Sequence, residues 1–223
     1  MSSRPRKPSA IAEPSLVEAG YGPDRALMLH HFPRGVRPGI AALWAIDEAM
    51  AAVVAEASQP VLGAIKLAWW AEALARLDSV PSPPEPRLQA VVAELLPRGI
   101  SGAEVAGIER GWRALLDESP DSDEVAVRGQ VLFAISARLL GTDDAELAEA
   151  GRLFALGDAM RRGFPEFADA RDRSVVTFKR RRIGRPVRPI TLAARLAARD
   201  PREPEATPGR AVALIAHRLT GTL

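Results

Sequence analysis

Apolar residues recur along this chain at helical spacing, in runs separated by turn-forming residues. Between Gly39 and Ala57, the positions Ile40, Leu43, Trp44, Ile46, Met50, Val53 and Val54 follow a period close to that of an α-helix. The pattern predicts an apolar helix there and a second over Val61 to Leu77, joined at Ser58-Gln59-Pro60. Pro33 to Pro38 reads as a turn. A short helix is expected between Ser15 and Leu29, broken near Tyr21-Gly22-Pro23 and restarted with Asp24 as its cap. The stretch Pro81 to Pro86 cannot continue a helix, because proline lacks the N–H donor and clashes with the preceding turn. Beyond it, Leu88, Val91, Val92 and Leu95 line one face of a helix over Arg87 to Leu96.

Ser101-Gly102-Ala103-Glu104 has the form of a capping box and starts a helix expected to run to Leu116. Ser122-Asp123 is expected to cap the next, which carries Val131 through Leu140 and stops at Gly141. Asp143-Asp144 caps another, from Ala145 to Arg162. After Pro165 the regularity falls, until Ile190–Ala198 and Arg210–Leu219 return as short amphipathic helices. No repeat of fixed period and no series of strands interrupts this pattern. The fold class expected is all-α. Residues 15–223 form one helical domain, and residues 1–14 form a disordered tail.

Composition narrows the chemistry. Hydrophobic residues make up 47% of the chain and aromatic ones 5%, a balance that favours packed helices over sheets. There is no cysteine, which excludes disulfides, thiolate nucleophiles and cysteine-bound zinc. His30-His31 has no second histidine or cysteine group at ligand spacing. No Ser-His-Asp order or glycine-rich phosphate loop is present. The basic N-terminus is not followed by an apolar core, so it does not read as a secretory signal. No run of 18 uncharged apolar residues occurs, and Gly39 to Ala55, the nearest approach, is interrupted by Asp47-Glu48.

Charge is nearly balanced at +2 overall but unevenly placed. From Arg171 to Arg188 there are eight arginines and lysines against one aspartate. Lys179-Arg180-Arg181-Arg182 would attract phosphates, acidic lipid headgroups or an acidic protein face, or simply form a solvated loop. Nucleic acid is not the expected partner, since the block has no interleaved aromatics beyond Phe178 and no binding motif around it.

One feature of the apolar pair of helices carries specific chemistry. Asp47-Glu48 stands inside the first, and a charged pair in an apolar helix must either reach solvent or hold a partner. Both readings stay open: a solvated patch on a cavity rim, or a vestigial ligand site. Trp69-Trp70, inside the second helix, reads as core or cavity lining. The segments Phe32-Pro33-Arg34 with Arg37, Ala42-Leu43-Trp44-Ala45-Ile46-Asp47-Glu48 and Leu62-Gly63-Ala64-Ile65-Lys66-Leu67-Ala68-Trp69-Trp70 together resemble the squalene/phytoene synthase family.

That resemblance implies an isoprenoid-synthase-like helical array around a deep central cavity. In catalytic members, two acidic motifs face each other and hold magnesium on a prenyl diphosphate, so that the metal neutralises the leaving group. The first motif resembles Asp-Glu/Asp-x-x-Asp; here Ala51 stands in place of its last carboxylate. The second resembles Asn-x-x-Arg-Asp-x-x-x-Asp. Its best register, Asp158 to Glu166, puts Arg162 where the first aspartate belongs and Pro165 just before Glu166.

The vestigial candidates are therefore Asp47, Glu48, Asp158 and Glu166, with no metal site. The residues that would touch a ligand are Arg37, Asp47, Glu48, Trp69, Trp70, Arg161 and Arg162. Asp158 with Arg161 and Arg162 also reads as a surface or interfacial ion pair. The chain looks like the bacterial relatives of the mitochondrial complex I assembly factor in this family. This implies a non-catalytic assembly or lipid- and isoprenoid-binding helper, cytoplasmic and peripheral to the inner face of a membrane. The alternative is a prenyl-diphosphate transferase that condenses two prenyl diphosphates head to head and uses Mg²⁺.

Overall fold

The computed structural model describes residues 22–142, 147–179 and 182–222. The expected tail, the Asp143-Asp144 cap, Arg180 and Arg181 lie outside them. Among the described residues every regular element is a helix: α1 Pro23–Leu29, α2 Arg37–Ala55, α3 Pro60–Arg76, α4 Pro86–Glu94, α5 Gly102–Ala106, α6 Ile108–Arg113, α7 Ser122–Leu139, α8 Leu147–Arg161, α9 Ala168–Lys179, α10 Arg188–Ala197 and α11 Pro208–Thr220. The all-α expectation holds.

Local chemistry sets the boundaries. Proline occupies the first turn of α1, α2, α3, α4, α10 and α11, where its missing N–H costs nothing. Ser101 and Glu104 close the expected capping box, and Asp78 adds bonds to the N–H groups of Gly102 and Ala103. The helix they start is not continuous to Leu116: it breaks at Gly107 into α5 and α6 and ends in a 3-10 turn at Ala114–Leu116. The cap of α7 is Asp121 rather than Ser122-Asp123; its carboxylate accepts from the N–H groups of Asp123 and Glu124. α9 is a helix where irregular chain was expected. Its buried face, Ala170, Ser174, Val175 and Phe178, is narrow and set among charges.

Asp24 is not a cap either. It lies in the first turn of α1, buried, and accepts from Arg210 Nε at 2.6 Å and from the Ala206 N–H at 3.1 Å. This pair ties the first described helix to α11.

α7 and α8 form the centre, with α2 and α6 packed on α7 and with α9 and α10 packed on α8. Their close approach depends on two glycines. A Cβ on Gly129 would lie 1.9 Å from the Gly151 carbonyl oxygen, and one on Gly151 would lie 2.5 Å from that of Gly129. α2 passes the length and hydropathy test for a membrane span, yet it is mostly buried against α4, α6 and α7, as a core helix is.

The centre of the described helices is tightly packed. Between α1, α2, α7, α8 and α10, the side chains of Met28, Phe32, Trp44, Leu132, Phe133 and Phe154 close over a space of about 10 Å³. That is room for one water at most, whereas small-molecule sites span roughly 300–1,000 Å³.

Candidate functional site

Asp47 is fully buried on the face of α2 that meets α6 and α7. A lone carboxylate there would cost several kcal/mol, so the fold must supply opposite charge. It does so with two arginines from two other helices, Arg25 of α1 and Arg128 of α7. Asp47 Oδ2 accepts from Arg25 Nη2 of α1 at 2.8 Å, while Oδ1 accepts from the indole N–H of Trp112 at 2.9 Å and lies 3.1 Å from Arg128 Nε of α7. Arg128 continues to Asp158 of α8, its Nη2 donating to Oδ2 at 2.6 Å. Arg162, just past the end of α8, donates to the same oxygen at 2.9 Å and to both oxygens of Glu48 at 3.2 Å. Arg25 Nη1 lies 3.0 Å from Glu48 and completes the circuit.

The result is a closed ring of alternating charge, running Asp47, Arg25, Glu48, Arg162, Asp158, Arg128 and back to Asp47. Aromatic faces line it. The Arg128 guanidinium sits 4.0 Å from the Trp112 ring centre and 5.1 Å from that of Phe154, and Arg162 covers Trp112 at 5.2 Å. Burial alone would raise the Asp158 carboxyl, but Arg128, Arg162 and Arg25 hold it well below the usual carboxylate range. Burial likewise works against the charge on Arg25, yet Asp47 and Glu48 raise its affinity for the proton. Arg162 is raised in the same way, with Asp158 and Glu48 outweighing burial.

The remaining sequence candidates lie elsewhere. Arg37 begins α2, about 15 Å along the helix from Asp47 at 1.5 Å per residue. It staples the preceding turn by donating to the carbonyls of Phe32 and His30. Arg161 turns away from the ring to the carbonyls of Pro201 and Glu203. Glu166 is exposed in a 3-10 turn at Pro165–Phe167.

Trp69 is not core: it is half exposed on the outer face of α3, on the same side as Val61, Leu62 and Ile65. Trp70 is buried and meets Trp69 edge to face and Arg87 across its ring. Asp47 faces the helical interior, and the tryptophan beside it is Trp112 of α6 rather than Trp69 or Trp70. The buried stripe of α3, Gly63, Leu67, Trp70 and Leu74, packs chiefly on α5, one layer away from the ring.

A divalent ion does not fit this arrangement. Magnesium needs about six oxygen ligands at 2.0–2.1 Å in octahedral geometry. Both oxygens of Asp47 are already engaged by protein donors, and guanidinium groups occupy the space between Asp47, Glu48 and Asp158. Among the described residues no group of three or more acidic, histidine or cysteine side chains is placed to hold a metal.

Sequence reasoning missed Arg25, Trp112 and Arg128. Arg128 did leave a signal. It shares the buried stripe of α7 with Val125, Leu132, Ile135 and Leu139, where a cation requires an anion to face it. In comparisons with known proteins, no family model, no curated protein and no solved structure matches the chain, so the likeness to squalene/phytoene synthases rests on the motifs quoted above.

Proposed function

We propose that this chain is a non-catalytic, squalene/phytoene synthase-like helper protein that acts through its surface rather than on a substrate. The observation that carries the reading is the closed ring. Asp47, Glu48 and Asp158, three of the four carboxylates of the transferase alternative, are neutralised one for one by Arg25, Arg128 and Arg162, and the fourth, Glu166, lies exposed outside the ring. A guanidinium does not shed its proton in a protein, so these cations persist at any working pH. The filled core supports the same reading, since no prenyl chain enters a 10 Å³ space. A surface role has support on α3, where Val61, Leu62, Ile65 and Trp69 are each half or more exposed on one side. Apolar surface of this kind marks interaction faces in soluble proteins.

The test is incubation of the purified protein with labelled farnesyl diphosphate and Mg²⁺. The expected outcome is unchanged substrate. Squalene, phytoene or a cyclopropyl intermediate among the products would overturn the reading in favour of the transferase.

A further inference from the structure

α11 is amphipathic in an unusual direction. One face, Arg210, Ala213, Leu214 and His217, is buried against the fold. The opposite face presents Val212, Ile215 and Leu219, which are 64%, 55% and 72% exposed. At about 100° per residue these three fall within an arc of roughly 60°, a continuous aliphatic strip along the helix. The helix contains no acidic residue. Its one large neighbour is α10, so the strip is not covered by another helix among the described residues.

The end of this strip is strongly basic. Arg188 is buried and donates to the carbonyls of Ile183, Arg218, Leu219 and Thr220, which caps the C-terminus of α11 with a cation. Ile183 N–H donates to the Gly221 carbonyl at 2.9 Å and stitches the 182–188 segment to the same helix end. Arg182 and Arg185 are exposed on that segment, and Arg218 flanks the strip. Among the described residues, none of the three side chains is paired with a carboxylate. At the other end of α11, Glu203 and Glu205 are engaged by Arg199 and Arg161.

We infer that α11 and the 182–188 segment form a docking face for an anionic lipid bilayer, with Val212, Ile215 and Leu219 entering the headgroup boundary and Arg182, Arg185 and Arg218 contacting acidic headgroups. An aliphatic strip edged by unpaired cations is what an interfacial helix requires. A nucleic acid would call for aromatic stacking platforms, and the strip has none. The face shares no residue with the carboxylate ring, so it stands apart from the non-catalytic reading.

Co-sedimentation tests it, with the full chain and vesicles of phosphatidylcholine alone or mixed with phosphatidylglycerol. Binding is expected only with phosphatidylglycerol and should weaken as salt rises. The double variant Ile215→Asp/Leu219→Asp, altered only at exposed positions, should lose binding while keeping its helical circular dichroism. Arg182→Glu and Arg185→Glu should each lower partitioning at least about five-fold. Absence of binding to phosphatidylglycerol vesicles would overturn the inference, as would equal binding by the aspartate variants. Displacement by millimolar inorganic phosphate would assign the cations to a free anion instead. Tighter binding to a single-stranded oligonucleotide would assign them to nucleic acid.

Discussion

At the scale of single residues, the ring makes its members unequal. Asp47 neutralises two buried guanidiniums and accepts the Trp112 N–H, so its loss strands charges that cannot reach water. Asp47→Asn should cost about 3–5 kcal/mol, which for a chain of this size lowers Tm by roughly 10 °C. The Arg162 side chain is 29% exposed, and Asp158 keeps Arg128 when Arg162 is removed. Arg162→Ala should therefore cost only about 1 kcal/mol. Thermal melts of the two variants check the ordering, and equal losses would show that the ring is not organised around Asp47.

A second residue-scale expectation concerns pH. His217 is buried, with Nδ1 donating to the Thr222 carbonyl and Nε2 against the Thr191 hydroxyl, both at 2.8 Å. Burial pushes its pKa down, and Arg195 and Arg188 push in the same direction. The unfolded chain then takes up the proton first as pH falls. The stability this histidine contributes is complete above its unfolded pKa, about 6.5, and is lost as pH drops below that value toward the lower folded pKa. His31, lowered chiefly by burial, acts in the same window. Tm should fall between pH 7.5 and 5.5, values spanning the unfolded pKa of roughly 6.5, and His217→Gln should shrink that fall without abolishing it.

At the scale of elements, the α7–α8 contact sets the geometry of the ring. Arg128 and Gly129 are neighbours on α7, and Asp158 lies two turns beyond Gly151 on α8. A methyl group at Gly129 would collide with the backbone of Gly151, which cannot rotate aside as a side chain can. Gly129→Ala should destabilise by at least about 2 kcal/mol and broaden the unfolding transition. Denaturant titration monitored by circular dichroism would read both effects. Most elements were legible in the sequence because their proline starts, their capping box and their apolar period agree. α9 was not, because its narrow apolar face is diluted by Asp169, Arg171, Asp172 and Arg173. The break at Gly107 was also hidden, since Val105 and Ile108 keep the helical spacing on either side of it.

At the scale of the whole molecule, the sequence exposed one half of the site. An acidic pair in an apolar helix and an arginine in the second acidic segment were visible as anomalies. Their answer was not, because Arg25, Trp112 and Arg128 come from helices whose place beside α2 is fixed only by tertiary packing. The resemblance led to the expectation of a deep cavity, whereas the side chains between α1, α2, α7, α8 and α10 leave a space of only about 10 Å³.

The most direct measurement is a Mn²⁺ titration of the purified protein followed by electron paramagnetic resonance, with Mn²⁺ standing in for Mg²⁺ and Glu48→Gln as the control. The closed ring predicts a free-ion signal that grows linearly with added metal and is the same in both proteins. A saturable loss of signal in the wild-type protein that disappears in Glu48→Gln would place a metal among these carboxylates and contradict the account.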